Sequence, residues 1–93
     1  MTPVEFRRRL HAHPELSFRE DGTAAFIAEQ LAELGIEHRT IARTGLLARI
    51  PGRRTTPGDR RAVVLRADID ALPIAERTGL AYSSRNAGVM HAC

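Results

Sequence analysis

Ninety-three residues, 43% hydrophobic and 27% charged, suit one small soluble domain; at this length a chain buries only roughly 60–65% of the surface its unfolded form exposes. The net charge of +3 comes from fourteen Arg and no Lys, spread among eleven acids with one Tyr and three Phe, which argues against a nucleic-acid partner because no basic stripe carries interleaved stacking rings. A single Cys excludes an intrachain disulfide, Met1 to Arg7 carries no apolar leader core, and no apolar run approaches the ~18–20 residues that span a bilayer, so a cytoplasmic protein without a membrane partner is expected.

The chain opens with a helix signal. Thr2 is a cap residue, Pro3 suits the first helical position and Glu5 completes a capping box. Phe6 and Leu10 share a face, and Pro14 stops the helix near His13. Ser17-Phe18-Arg19-Glu20 repeats the capping-box pattern. Ala24, Ile27, Ala28, Leu31 and Leu34 follow at helical spacing, with Gly35 as the stop. Gly22 lies inside this helix at a cost of about 1 kcal/mol relative to Ala, and the sequence offers no reason for it.

The period then changes from helical to alternating. Ile36 to Ile41 reads as a strand, Thr44-Gly45 as a turn and Leu46 to Ile50 as a second strand, giving a hairpin. Pro51 to Arg61 is a polar loop. Ala62-Val63-Val64-Leu65 is a continuous apolar run, the mark of a strand buried on both faces. Helices combined with a buried strand indicate an α/β fold class.

Three clusters carry candidate chemistry. Asp68 and Asp70 follow the apolar run, where α/β sheets bind ligands; they could equally shape a turn before Leu72-Pro73 or pair with Arg66. His91 and Cys93 are residue types that ligate zinc and similar ions, although Cys93 could equally be a small buried hydrophobe. His11 and His13 stand two apart, which puts them on different helix faces, so they are poor partners for one metal. A His at the end of a helix also has a sufficient structural role against the dipole.

Taken in order, the motifs resemble one family. Arg8-Arg9-Leu10-His11-Ala12-His13-Pro14-Glu15-Leu16-Ser17-Phe18-Arg19-Glu20, Thr44-Gly45-Leu46-Leu47-Ala48, Leu65-Arg66-Ala67-Asp68-Ile69-Asp70-Ala71-Leu72-Pro73-Ile74-Ala75-Glu76 and Gly88-Val89-Met90-His91-Ala92-Cys93 resemble successive segments of the metallopeptidase-related amidohydrolases. That family includes N-acyl-amino-acid amidohydrolases, hippurate hydrolases and auxin-conjugate hydrolases. The third motif usually has Met where Ile69 stands, and the last ordinarily continues Gly-His-Asp.

The resemblance implies that residues 1–93 are the N-terminal part of a zinc-exopeptidase-like catalytic domain: two helices, a β-hairpin and a buried strand. The rest of that domain and the dimerisation or lid domain lie outside it. The implied activity is metal-dependent hydrolysis of the amide bond of small N-acyl amino acids, by full-length proteins that form homo-oligomers. Cys93 matches a metal ligand in a site for two divalent ions (Zn, Mn, Co or Ni). Asp70 matches the aspartate that supports that site from beside it, the catalytic position here. Asp68 stands where other branches have a ligand His, and neither it nor His91 is assigned as a ligand. The family's general base and remaining ligands have no counterpart in these residues. The 93 residues alone are therefore expected to be inactive, to hold zinc weakly or not at all, and to be marginally stable because the buried strand would lack neighbours. The alternative is a non-catalytic interaction module that keeps the fold.

Overall fold

The computed structural model describes residues 1–54 and 56–93. In chain order it holds α1 (Pro3–Ala12), α2 (Asp21–Glu33), β1 (Glu37–Ile41) and β2 (Gly45–Arg49). Both halves of the first capping box form. The Glu5 N–H donates to Thr2 Oγ1 at 3.2 Å and the Thr2 N–H donates to Glu5 Oε2 at 2.7 Å. The helix ends at Ala12, His13 is its C-cap, and the Pro14 side chain that stops it is fully buried.

The second helix starts differently from the expected pattern. Glu20, not Ser17, is the N-cap residue, and its side chain makes no cap bond. Its carboxylate is engaged elsewhere: it accepts the Phe18 N–H at 2.7 Å and the Thr44 hydroxyl at 2.6 Å. The free N–H groups of α2 are taken by Glu15 instead, which accepts from the Gly22 N–H at 3.2 Å and from the N–H and hydroxyl of Thr23. A carboxylate at that end of a helix also complements the dipole. This explains Gly22: a Cβ there would stand 3.3 Å from both Glu15 oxygens, so the missing side chain makes room for the cap. At the other end Gly35 adopts φ 68°, with the Gly35 N–H bonded to Ala32 O at 3.0 Å and the Ile36 N–H to Leu31 O at 2.9 Å. These two bonds form a Schellman stop and satisfy carbonyls the helix leaves free.

β1 and β2 pair antiparallel, from Glu37 opposite Arg49 to Ile41 opposite Gly45. The turn is Ala42–Thr44, one step earlier than read from Thr44-Gly45. Ala42 (φ 47°) and Arg43 (φ 70°) are both left-handed, as is Phe18 (φ 61°). Such backbone costs of order 1–3 kcal/mol per residue and persists only where its surroundings fix it. Here the Arg43 guanidinium donates to Phe18 O at 2.8 Å, and the Thr44–Glu20 bond lies beside it. The turn and the start of α2 thus hold each other.

The expected buried strand is corrected. Ala62 to Leu65 takes part in no strand, and Val63, Val64 and Leu65 are 91%, 82% and 93% exposed. The reason is pairing: among the described residues no strand runs beside it, and a central strand needs hydrogen-bond partners on both edges. Thr55, within the polar loop read at Pro51 to Arg61, lies outside the described residues. The buried apolar residues are Ala12, Ala71 and Val89, beside Pro14. The core therefore sits where the end of α1 meets the segments around Ala71 and Val89. The Cα radius of gyration is 15.8 Å, against about 12 Å for a compact domain of this length. Among the described residues no helix is long and apolar enough to cross a membrane.

Exposure of the apolar run has a measurable consequence. Val64→Asp should change the stability of this chain by no more than about 0.5 kcal/mol, as for an ordinary surface substitution. In a strand buried on both faces the same change would cost several kcal/mol. Thermal unfolding followed by circular dichroism distinguishes the two.

Candidate functional site

The site is organised by a short segment between two others. The Ala71 N–H donates to Glu15 O at 2.8 Å, within a parallel bridge between Leu16 and Ala71. On the other edge Leu72 and Met90 exchange both backbone bonds at 2.9 Å in an antiparallel bridge. Three motifs far apart in sequence therefore lie side by side. Asp70 is two residues before Leu72 and Cys93 three after Met90. Because the pair runs antiparallel, both project from the same end of it.

At that end a cavity of about 270 Å³ is lined by Arg7, Leu10, His11, Asp68, Ile69, His91 and Cys93. A larger one, about 340 Å³, is lined by residues such as Arg9, His13, Glu15, Phe26 and Arg85 and does not hold Cys93; Asp70 lines neither cavity. The smaller is the candidate site because it holds the reactive side chains. Asp70 is half-buried and Cys93 is free and exposed. Asp68 is exposed and accepts from Arg66 at 2.7 Å, the structural alternative open in the sequence. Among the described residues no group of three or more His, Cys, Asp and Glu side chains is placed to hold a metal ion. Cys93 is thus a single donor of a type that metals use, and the described residues form no cage around it.

Behind the cavity lies a buried pair that local sequence could not reveal. His11 Nε2 is 2.8 Å from Glu76 Oε1, with side chains 12% and 3% exposed. The same Oε1 accepts the Ser84 N–H at 2.9 Å, and Oε2 accepts the Thr78 hydroxyl. The Thr78 hydroxyl and then the Ser84 N–H hold the Glu76 carboxyl down at about 2, against an ordinary 4.5; burial opposes them and His11 adds to the lowering. The His11 ring meets Tyr82 edge-on at 5.7 Å and His91 at 6.4 Å between centroids. Arg7 and Arg8 lie over the Tyr82 ring. His91 Nε2 is buried without a protein partner. Burial, followed by repulsion from His11, lowers the His91 pKa, while the Asp70 main chain and carboxylate raise it.

His13 points elsewhere, with Nδ1 on Arg9 O at 3.0 Å and Nε2 on the Arg9 guanidinium at 3.2 Å. The two histidines do not share a site, as their spacing implied. What the sequence reading missed is Glu76. It lies 65 positions from its partner, and the only signal for it was its place at the end of the third motif.

No family model matches the chain. It is 52% identical over 91 residues to N-acetyl-L-cysteine deacetylase of Bacillus subtilis, covering 97% of this chain and 21% of that protein. It is 48% identical over 91 residues to N-acyl-L-amino acid amidohydrolase of Geobacillus stearothermophilus, covering 97% and 24% respectively. The crystal structure of a dinuclear metal-binding peptidase of the M20 family from Bacillus subtilis superposes with a TM-score of 0.86 at 46% identity, covering 97% of this chain and 25% of that one. The chain spans about a fifth to a quarter of the length of these relatives.

The depressed Glu76 pKa fixes a pH dependence. A carboxylate whose folded pKa lies below its unfolded value contributes stability that is complete above about 4.5 and is lost as pH falls towards about 2. Glu76→Gln should therefore flatten the acid limb of a Tm-against-pH curve over that window and lower Tm at neutral pH.

Proposed function

The chain belongs to the M20 family of amidohydrolases and peptidases, matching the N-terminal part of their catalytic domain, and from that premise we propose that it serves metal-dependent hydrolysis of the amide bond of N-acyl amino acids. The observation that carries the reading is the Leu72–Met90 pairing, which sets the arms of Asp70 and Cys93 at one end of the same bridge. Three motifs distant in sequence meet there, around Glu15, Leu72 and Met90.

In this reading Cys93 supplies one thiolate ligand and Asp70 orients the site from beside it. Carboxylates behind a metal site fix ligand orientation and tune its basicity. A thiolate is a soft donor and suits zinc or a similar divalent ion. Bound ions would lower the pKa of a water and polarise the amide carbonyl. This chain contributes one donor and its support; the other ligands and the base would come from polypeptide beyond these residues or from a second chain. The half-exposed cavity beside Cys93 would admit a small acylated amino acid.

The test is made on the native gene product, with whatever polypeptide follows or pairs with this segment. It should release free amino acid from N-acetyl amino acids, stop on chelation, and recover with added zinc, manganese, cobalt or nickel. Cys93→Ala should abolish release, and Asp70→Asn should lower it roughly 10–100-fold. Residues 1–93 alone should release none and should bind zinc weakly in calorimetry. Turnover that ignores chelators, or that survives Cys93→Ala, would sink the assignment.

A further inference from the structure

The bridge that brings the two arms together holds neither of them beyond Leu72 and Met90. Among the described residues the backbone of residues 91–93 makes no hydrogen bond, so something else must fix the direction in which Cys93 leaves the pair. One of the side chains beside this arm is His11. Its ring lies 6.4 Å from that of His91, and both line the cavity with Cys93.

We propose that His11 and Glu76 are positioning residues of this site, acting through His91 to hold the Cys93 arm against the Asp70 segment. The inference rests on the reading of Asp70 and Cys93 given above. It adds two residues that act on the site through their neighbours.

Three features carry it. First, the Glu76 carboxylate bonds to groups from α1, from the stretch after Asp70 and from the stretch before Cys93: His11 Nε2, the Thr78 hydroxyl and the Ser84 N–H. One side chain thus ties the cavity-lining His11 of α1 to the segment that links Asp70 to Cys93. Charge-assisted bonds of this kind are shorter and stronger than neutral ones. Second, a bond at Nε2 fixes how an imidazole ring is turned. With Nε2 committed to Glu76 and Tyr82 edge-on at 5.7 Å, the His11 ring presents one fixed wall to His91. Third, the Ser84 segment is coupled directly to the arm: the Ser84 hydroxyl donates to Val89 O at 2.7 Å, immediately before Met90. Glu76 therefore reaches the arm by two routes, through the His11 ring and through Ser84.

The buried, unpartnered Nε2 of His91 fits this assignment. An orphaned polar atom is costly, so its ring stays in place only where surrounding packing holds it. His11 supplies that packing from α1, its ring 6.4 Å from that of His91.

The test uses the 93-residue chain labelled with nitrogen-15, and needs neither metal nor turnover. Glu76→Gln keeps the shape of the side chain and removes its charge. It should shift the His91 ring signals and the amide signals of Asp70 and Cys93, and the heteronuclear NOE of Cys93 should be lost. Glu20→Gln is the control: it alters another buried carboxylate, the one joining Phe18 and Thr44, and should leave those signals in place even if it lowers Tm as much. His11→Phe keeps a ring but cannot bond Glu76; it should reproduce the Glu76→Gln spectrum. The proposal is overturned if Glu76→Gln moves the His91, Asp70 and Cys93 signals no more than Glu20→Gln does. It is overturned equally if His11→Phe leaves them unchanged, which would make His11 a packing ring only, or if the unsubstituted chain gives an undispersed spectrum. Loss of the hydrolase reading in the chelation assay would leave this result standing, so the two can fail separately.

Discussion

Everything at the functional end of this molecule depends on the backbone of Ala71 and Leu72 being held from both sides. Glu15 O takes one N–H and Met90 exchanges two bonds with Leu72. Backbone groups must find partners when buried, and here the partners come from the first and last thirds of the chain. Ala71 is 3% exposed, so the pairing is also the packing centre. The same residue that anchors Ala71 through its carbonyl, Glu15, caps α2 through its carboxylate. The site and the second helix are thus set by a single position.

How much of this was legible in the sequence depends on distance along the chain. The Thr2–Glu5 box and the Gly35 stop are local signals, decided by groups within five residues, and both formed as read. The hairpin was read correctly in kind, and its turn moved by one step because a long-range contact from Arg43 to Phe18 stabilises left-handed residues that turn rules do not favour. The second capping box failed for a related reason. Ser17 and Glu20 have the right spacing, but Thr44 competes for the Glu20 carboxylate across 24 positions, and Glu15 takes over the helix end. A pattern rule sees only the local competitor.

The site shows the same division. Asp70 and Cys93 were read as candidates from their motifs, and the chain brings their segments to one end of one bridge. The pairing that does so spans 18 positions, and no local rule encodes it. His11 was read as a residue interacting with the helix dipole, which its position allows. Its partner Glu76 was invisible because a hydrogen-bonded pair so distant in sequence depends on where two surfaces meet. The apolar run Ala62 to Leu65 was read as a buried strand that these residues alone would leave without neighbours; without them it forms no strand and stays exposed.

That exposed run has a consequence for handling and for biosynthesis. Four consecutive exposed apolar residues, two of them β-branched, uncharged and without Pro, have the makings of a self-association segment. The sequence brackets them with Arg60 and Arg61 on one side and Arg66 on the other. Like charges stacked at every rung of a growing assembly repel, so the arginines act as gatekeepers against ribbon growth. Solubility at working concentrations should then depend on ionic strength, because salt screens the very repulsion that keeps one copy from templating the next.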